Sequence, residues 1–255
     1  MNPPIRDWHG KRIWVIGASS GIGAATAQLL LSKGATVALS ARSQAGLEQA
    51  AHGYAAARLA AVDMTDHVAL QAVHAELQAA WGGIDLVLIV AGSYDEMRAD
   101  QFDLAAANRL FDINVRGVYQ CLDVLLPDFL AQGYGGIGIV ASIAGLSGLP
   151  KALAYGPSKA ALINLCESLY LDLRPKNHAV YLINPGFVQT ALTAKNDFAM
   201  PALMSSDAAA IELVRGIERG EFHIHFPKRF TNWLRLARLL PYRLYFSLVH
   251  KMTGL

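Results

Sequence analysis

Tyr155 and Lys159 are the two residues whose types and spacing most directly suggest chemistry. They lie four positions apart, and the apolar pattern from Lys159 onward favours a helix, in which positions i and i+4 share a face. An ammonium beside a phenol favours the phenolate, so we expect Lys159 to lower the pKa of Tyr155. Such a phenol could act as a general acid toward a carbonyl oxygen. Taken alone, the pair also fits two residues that merely share a helix face.

A glycine-rich turn near the N-terminus indicates a dinucleotide site. A β-prone run over 11–16 leads into GASSGIG at 17–23, and a helical run over 24–33 ends at Gly34. Glycines let the backbone approach a pyrophosphate, and the helix N-terminus directs free N–H groups and its positive dipole end toward it. A purely structural turn is the alternative, which the flanking strand and helix make less favoured.

Arg42 favours NADP(H), with NAD(H) still possible. In dinucleotide folds a carboxylate after the second strand binds the ribose 2′-hydroxyl, whereas an arginine accommodates a 2′-phosphate. No carboxylate occurs between Gly34 and Glu48, and Arg42 follows the β-branched run 35–40. The alternative for Arg42 is an ordinary solvated side chain.

Together the motifs resemble the short-chain dehydrogenase/reductase superfamily over nearly the whole chain, with Arg42 typical of its NADP-preferring branch. The turn at 17–23 matches the glycine motif, Asp63 matches the acid that contacts adenine, and 184–190 matches the segment that closes over the nicotinamide. The resemblance implies a cofactor site made of Gly17, Ser19, Ser20, Gly21, Ile22, Gly23, Arg42, Asp63, Met64, Ala91, Gly92, Tyr155, Lys159, Pro185, Gly186, Val188 and Thr190.

The resemblance also implies a catalytic tetrad of Asn114, Ser142, Tyr155 and Lys159. Tyr155 would supply the proton, and Lys159 would depress the pKa of Tyr155 and hydrogen-bond the nicotinamide ribose. Ser142 would hydrogen-bond the carbonyl oxygen, where charge develops. Asn114 would anchor a water that relays protons to Lys159. The chain departs from the family pattern at Ile89 and Val90, where the family often has two Asn, and at Ile16, where it usually has Thr. Both departures are expected to affect local packing more than function.

The predicted substrate pocket is apolar. We expect its walls to include Tyr94, Ile143, Ala144, Leu146, Leu149 and Leu192, with the segment 191–204 acting as a mobile lid. No arginine suited to a carboxylate is evident in that segment. The pocket therefore favours a lipophilic ketone, aldehyde or secondary alcohol over a small charged acid.

The fold class predicted is α/β, a single-domain Rossmann-like, doubly wound parallel sheet with helices on both faces. Strand-like runs at 86–91, 138–141, 180–184 and 222–226 alternate with helical ones, after the strand-like runs at 11–16, 35–40 and 58–62. We assign residues 1–227 to this domain and 228–255 to a basic helical tail packed on or near it.

Composition excludes several function classes. The net charge of +2 is too small to suggest a nucleic-acid partner, and eight histidines show no metal-ligand spacing with Cys or carboxylates. Cys121 and Cys166 fall within helical patterns and are expected to be buried thiols. The N-terminus does not resemble a signal peptide and no apolar stretch is long enough to span a bilayer, so we expect a cytoplasmic protein.

The tail contains six Lys/Arg and no acid from Lys228 to Leu255. Apolar residues at helical spacing on either side of Pro241 predict two short amphipathic helices. Docking over the cleft, elsewhere on the domain, or at a subunit interface is the favoured interpretation. A peripheral membrane contact is the alternative.

Three functions remain open at this point. The leading hypothesis is an NADP(H)-dependent oxidoreductase that interconverts a carbonyl and an alcohol. The same fold and cofactor could instead serve epimerisation or dehydration, or a non-enzymatic NADP-binding sensor, against which the complete tetrad argues. The resemblance implies a homodimer or homotetramer, and the basic tail favours a dimer because it would block one tetramer contact.

Overall fold

The computed structural model describes residues 1–195 and 200–253. Within that part of the chain, seven parallel strands form one sheet in the order β3-β2-β1-β4-β5-β6-β7. The strands are β1 (Arg12–Ile16), β2 (Thr36–Ser40), β3 (Ala57–Leu59), β4 (Leu86–Ile89), β5 (Gly135–Val140), β6 (His178–Pro185) and β7 (His223–Phe226). Because β1 pairs with both β2 and β4, the strand order reverses beside β1, and ligands of open α/β sheets bind at such a reversal.

Helices cover both faces of the sheet, which confirms the doubly wound α/β prediction. They are α1 (Gly21–Ser32), α2 (Gln44–Ala51), α3 (His67–Trp81), α4 (Leu104–Phe111), α5 (Gly117–Gln132), α6 (Tyr155–Leu173), α7 (Ser206–Glu218), α8 (Lys228–Ala237) and α9 (Tyr242–Thr253). Successive side chains of a strand point to opposite faces. Accordingly Trp14 and Ile16 of β1 pack with α3, α5 and α6, whereas Ile13 and Val15 pack with α1, α2 and α7.

Burial on both faces of the sheet explains why the strands could be predicted from the sequence. Parallel strands covered on both sides are nearly continuous apolar runs, and all four residues of β4 are buried. The predicted run 86–91 ends early, at Ile89, because the N–H groups of Val90 and Ala91 both donate to the Ile16 carbonyl, at 2.8 and 2.9 Å. The helix expected around Lys159 already begins at Tyr155, and Pro157 is tolerated in its first turn, where no intrahelical N–H bond is lost.

Cys121 and Cys166 are free and buried, as predicted. Burial raises the pKa of the Cys121 thiol to about 12 and raises that of Cys166 as well. No group of three or more potential metal-ligating side chains occurs within residues 1–195 and 200–253. None of the helices described there is both long and apolar enough to cross a bilayer.

His223 and His225 share one face of β7, and their ring centres lie 4.9 Å apart. Nε2 of His223 lies 2.9 Å from Nδ2 of Asn184, and Nδ1 of His225 lies 2.6 Å from Oγ1 of Thr231. Nη1 of Arg235 lies 3.0 Å from Nε2 of His225. Burial and neighbouring positive charge lower the pKa of both histidines to about 4. A neutral His225 accepts a hydrogen bond from Arg235, so His225 fastens α8 to the sheet, whereas His223 pairs with Asn184 of β6.

Candidate active site

The turn between β1 and α1 forms a backbone cradle. Gly17 has φ +97° and Gly21 has φ +56°, both in the left-handed region that favours glycine. A side chain on Gly17 would collide with the backbone of Ala91, and a Cβ on Gly21 would lie 3.0 Å from Cγ2 of Thr190. Ser20 precedes α1 without a side-chain capping bond, and the first turn has no acidic residue. The N–H groups and positive dipole end of α1 therefore suit a phosphate, and the cradle fits a dinucleotide pyrophosphate.

Arg42 and Asp63 follow β2 and β3 and lie next to each other. Nη1 of Arg42 is 3.9 Å from Oδ2 of Asp63, and 75% of the Arg42 side chain is exposed. Oδ1 of Asp63 accepts hydrogen bonds from the Thr65 N–H at 2.9 Å and the Thr65 hydroxyl at 2.8 Å. The carboxylate is thus fixed by its own loop, while the guanidinium is loosely paired and open to an anionic group.

Tyr155 and Ser142 are brought together by α6 and the end of β5. The Tyr155 hydroxyl hydrogen-bonds the Ser142 side chain, and Oγ of Ser142 also accepts from the Ala144 N–H at 3.1 Å. The Tyr94 ring meets the Tyr155 ring edge-on, with centres 5.0 Å apart. Burial raises the pKa of Tyr155 above its ordinary value, the Ser142 hydrogen bond opposes that shift, and Tyr94 adds to it. Tyr155 is therefore a protonated phenol at neutral pH, which is the form that donates a proton.

Lys159 is buried beneath the phenol. Its Nζ donates to the Val140 carbonyl at 2.9 Å and lies 5.8 Å from the centre of the Tyr155 ring. Burial lowers the pKa of Lys159 to about 8. The net lowering of the Tyr155 pKa that the sequence predicted does not occur in this structure, because desolvation of the phenol is the largest influence on its pKa and raises it. Val140 is the only acceptor of Lys159 within the described residues, so its other ammonium protons remain available to ribose hydroxyls.

Asn114 lies in a π-helical turn, Asp112–Arg116, between α4 and α5. Its Oδ1 accepts from the Ser93 N–H at 2.7 Å, and its Nδ2 donates to the Ser93 carbonyl at 2.9 Å and to Oγ of Ser158 at 3.1 Å. Ser158 in turn donates to the Tyr155 carbonyl at 2.7 Å. A Cβ on Gly92 would lie 3.2 Å from Nζ of Lys159 and 3.3 Å from Oδ1 of Asn114. Gly92 therefore leaves open the space between the amide and the ammonium.

The loop after β6 closes the cradle from the other side. The N–H of Gly186 donates to the Phe226 carbonyl at 2.7 Å, which fixes the loop on the end of β7. The Thr193 hydroxyl donates to the Val188 carbonyl at 2.6 Å, and the Thr190 N–H donates to Oγ1 of Thr193 at 3.0 Å. These bonds hold Thr190 against the glycine turn at Gly21.

One cleft of about 1220 Å³ joins these parts at the carboxyl ends of the strands. Every residue predicted to bind the cofactor lines it: Gly17, Ser19, Ser20, Gly21, Ile22, Gly23, Arg42, Asp63, Met64, Ala91, Gly92, Tyr155, Lys159, Pro185, Gly186, Val188 and Thr190. The predicted substrate residues Tyr94, Ile143, Ala144, Leu149 and Leu192 line it as well, as does Ser142.

One expectation for the pocket needs revision, and another falls only partly on the described residues. Leu146 does not line the large cleft but packs against the core and borders a separate small cavity. Of the expected lid over 191–204, Ala191, Leu192, Thr193 and Pro201 line the cleft, while residues 196–199 lie outside the described part of the chain.

Sequence reasoning missed two serines and four tail residues. Ser93 and Ser158 hold Asn114, and only Ser158 carried a signal, since it lies beside Lys159 and three positions after Tyr155 on the same helix. The tail contributes Phe230 and Leu234 of α8 and Met252 and Thr253 of α9 to the cleft wall. The inner side chains of the tail therefore lie at the cleft, which was one of the placements left open for it.

Comparisons with known proteins agree with this geometry. The family model for short chain dehydrogenase matches residues 11–200. An uncharacterized oxidoreductase of Myxococcus xanthus is 35% identical over 232 residues, covering 89% of this chain and 91% of the relative. The 2-dehydro-3-deoxy-L-rhamnonate dehydrogenase (NAD(+)) of a Sphingomonas species is 30% identical over 186 residues, covering 72% and 75%. A solved short chain dehydrogenase of Burkholderia cenocepacia in complex with NADP has a TM-score of 0.84 at 20% identity, covering 95% and 98%.

The parallel sheet, its glycine cradle and the family match together define the class, a Rossmann-type oxidoreductase. The chain belongs to the short-chain dehydrogenase family. It is an NAD(P)-dependent dehydrogenase or reductase.

Proposed function

We propose that this protein uses NADP(H) to interconvert a carbonyl and an alcohol on a lipophilic small molecule, with Tyr155 as the general acid and base. The observation that carries the proposal is the hydrogen-bonded pair of Tyr155 and Ser142, which shares one cleft with the glycine cradle. When bound, the nicotinamide would supply a hydride to the carbonyl carbon or accept one from the alcohol carbon. The remaining task, which is control of a proton at the oxygen, falls to residues of this chain.

Ser142 and Tyr155 are suited to hold that oxygen. Their hydroxyls already lie within hydrogen-bonding distance of each other, so an oxygen placed against both could receive two hydrogen bonds. During reduction the Tyr155 O–H would donate its proton as negative charge develops on the oxygen, and the Ser142 hydroxyl would stabilise that charge. During oxidation the same proton would return to Tyr155.

Lys159 and Asn114 are proposed to support the phenol after it has lost its proton. The Lys159 ammonium, 5.8 Å from the ring centre, would favour the phenolate once it forms and would hold ribose hydroxyls with its free donors. Asn114 would act as a positioning residue, because it faces Lys159 across Gly92 and fixes Ser93 and Ser158.

NADP(H) is preferred in this proposal because of Arg42. Its exposed guanidinium lines the cleft where the ribose 2′ position would lie, and a planar fork suits a 2′-phosphate. Asp63, fixed by Thr65, would accept a hydrogen bond from the adenine. A solved neighbour of similar fold holds NADP, and the NAD(+) enzyme among the relatives keeps NAD as the alternative.

A lipophilic substrate is proposed because the walls beyond Tyr155 are apolar. Ile143, Leu149 and Leu192 come from the domain, and Leu234 and Met252 come from the tail. Lys151 also lines this region, but Glu96 neutralises its ammonium at 3.0 Å. Among the described residues, an anionic substrate would therefore find no uncompensated cation in this part of the wall.

We also propose a homodimer formed through α5 and α6. The support is family resemblance together with exposed apolar side chains on these helices, including Tyr119, Leu130 and Leu171. The dimer is independent of the chemistry proposed for the cleft.

The experiment that tests the function follows deuterium from C4-labelled NADPH or NADH into a panel of long-chain and cyclic ketones and aldehydes. We expect alcohol products that carry one deuterium on the former carbonyl carbon, formed in step with loss of reduced-cofactor absorbance, and faster with NADPH. In Arg42→Asp the preference should turn toward NADH, since a carboxylate repels the 2′-phosphate and accepts from a 2′-hydroxyl. Product that forms without net cofactor oxidation would instead indicate epimerisation or dehydration, and faster turnover of small keto acids would contradict the lipophilic substrate.

A further inference from the structure

The C-terminal tail exposes an unusual share of large apolar side chains. Of 21 such side chains in the described part of the protein, eight belong to residues 228–253. They are Trp233, Leu236, Leu239, Leu240, Tyr242, Leu244, Phe246 and Met252. A cluster of this size on one short segment is typical of a surface that binds something.

Each tail helix has an inner face on the cleft and an outer face on solvent. In α8, Phe230 and Leu234 line the cleft and Ala237 is buried, whereas Arg229, Trp233 and Leu236 recur at i, i+4 and i+7 on another face.

In α9, buried Tyr245 donates its hydroxyl hydrogen to the Gly148 carbonyl at 2.8 Å, which fastens the helix to the domain. Tyr242 and Phe246 stack with ring centres 5.6 Å apart and are 78% and 60% exposed. We call the exposed side chains of residues 229–251 the tail outer surface.

Positive charge accompanies these apolar groups. Arg229, Arg238, Arg243 and Lys251 are exposed, and none of them forms an ion pair with another residue in 1–195 or 200–253. The other two cations of the tail are engaged, Lys228 with Glu221 at 3.4 Å and Arg235 with His225. Because the tail contains no acid, the tail outer surface combines exposed apolar side chains with positive charge alone.

We propose that the tail outer surface binds an anionic lipid bilayer. Aromatic and leucine side chains would enter the boundary between headgroups and acyl chains, while the four unpaired cations would contact lipid phosphates. Helices of 10 and 12 residues are too short to span the bilayer, so the protein would lie on it.

The positive charge of the tail outer surface favours an anionic bilayer, rather than a second copy of the chain, as its binding partner. A twofold contact places the same surface on both partners, so tail against tail would oppose two sets of cations with no acid on either side. An anionic membrane offers the opposite charge across its surface and attracts exposed Lys and Arg side chains.

Membrane binding would place the cleft beside the lipid. The inner faces of the same two helices line the cleft, so its wall and the bilayer would be separated by the thickness of one helix. A substrate dissolved in the membrane could then enter without crossing water; this consequence, unlike the binding itself, rests on the proposed lipophilic substrate.

The test is co-sedimentation of the full-length protein with vesicles of phosphatidylcholine alone or of phosphatidylcholine and phosphatidylglycerol in equal amounts. We expect binding to the mixed vesicles that weakens with added salt. Arg238→Glu with Arg243→Glu should lower the partition coefficient by more than about tenfold, because each cation near an anionic surface contributes substantially. Leu236→Ser with Phe246→Ser should lower it by a similar factor.

Matched controls distinguish an effect of this surface from a general effect of charge or hydrophobicity. Arg6→Glu with Arg58→Glu changes two exposed arginines elsewhere, and Val68→Ser with Ile211→Ser changes two exposed apolar residues elsewhere; both pairs should sediment like the wild type. NADPH binding by every variant verifies that the cleft is intact. Equal sedimentation of wild type and tail variants would overturn the proposal. A second result would also overturn it: the wild type binds neither kind of vesicle, and sedimentation velocity shows the wild type as an oligomer but the Leu236→Ser, Phe246→Ser variant as a monomer. The surface would then join two copies of the chain.

Discussion

At the scale of single residues, Lys159 combines a charge with an environment that disfavours it. Its ammonium is buried, has one carbonyl acceptor in the described structure, and has its pKa lowered to about 8. A group kept in such a place costs stability, and function is the usual reason for retaining it. We propose that the functional reason is binding of a dinucleotide by the remaining N–H donors of Lys159.

The cost can be measured as a pH dependence of the free energy of unfolding. Between about pH 8 and the ordinary lysine value of 10.5, the unfolded chain keeps a proton on Lys159 that the native protein has released, so this residue makes stability rise with pH. Lys159→Met should therefore be more stable than the wild type below pH 8, and that advantage should shrink by roughly 3 kcal/mol as the pH rises through this window. Chemical denaturation of both proteins at a series of pH values gives the difference.

Comparing the wild type with Lys159→Met cancels the contributions that other titrating groups make to the pH dependence of the free energy of unfolding. Burial raises the pKa values of Cys121 and Cys166, so both thiols make stability fall with pH above about 9, and they do so in both proteins. A stability difference that stays flat between pH 8 and 10.5 would mean that Lys159 is not a buried ammonium.

At the scale of single residues the sequence predicted the positions of Tyr155 and Lys159 correctly, but it predicted the wrong direction for the pKa shift of Tyr155. The spacing of Tyr155 and Lys159 sufficed to place both on one helix face at the cleft. The direction of the Tyr155 pKa depends on how completely the surrounding chain removes water, and that follows from tertiary packing. Ser142, at the end of a strand, was predictable because strand ends meet at one edge of a parallel sheet.

At the scale of secondary-structure elements, the π-helical turn at Asp112–Arg116 is the feature that positions the site. π turns inside helices are rare and often mark functional positions. Here the turn directs Asn114 inward, where its amide pairs with both backbone groups of Ser93 and with Ser158. It thereby links the segment after β4 to the first turns of α6.

Replacing Asn114 by Ala should loosen that link. The Ser93 N–H and carbonyl would lose their partner inside the protein, which should lower the free energy of unfolding by about 2 kcal/mol or more. Turnover should fall more than NADPH affinity, because the cradle at Gly17 is built from other elements. Urea unfolding and steady-state kinetics measure the two effects.

Asn108→Ala is the matched control, because Asn108 is exposed on the preceding helix α4. It should change stability by less than about 0.5 kcal/mol and leave turnover unchanged. If Asn114→Ala behaves like the control, the amide does not position the site.

Strands and the glycine turn were the elements most predictable from sequence. Buried parallel strands such as β4 are apolar throughout, and the conformations of Gly17 and Gly21 are ones that glycine favours. The partner of an amphipathic helix is not encoded in its own periodicity, however. For that reason α8 and α9 could be predicted as helices, but only the structure places their inner faces on the cleft.

At the scale of the whole molecule, the chain brings two unlike surfaces together around one cleft. The carboxyl edge of the sheet provides glycines and hydroxyls, and the tail provides apolar side chains. The edge of the sheet fits a dinucleotide and the tail surface fits an apolar molecule, so the proposed reaction needs both. The interpretation of the cleft as a catalytic site depends above all on the Tyr155 hydroxyl that lies between them.

The most direct measurement of that claim is carbonyl reduction by Tyr155→Phe compared with the wild type, together with the Kd of each protein for NADPH. The Phe variant keeps the ring beside Tyr94 but has no hydroxyl to donate a proton or to meet Ser142. We predict that kcat falls by at least about a hundredfold while the Kd stays within about threefold. Near-normal turnover by the variant would contradict it, because another group would then have to supply the proton.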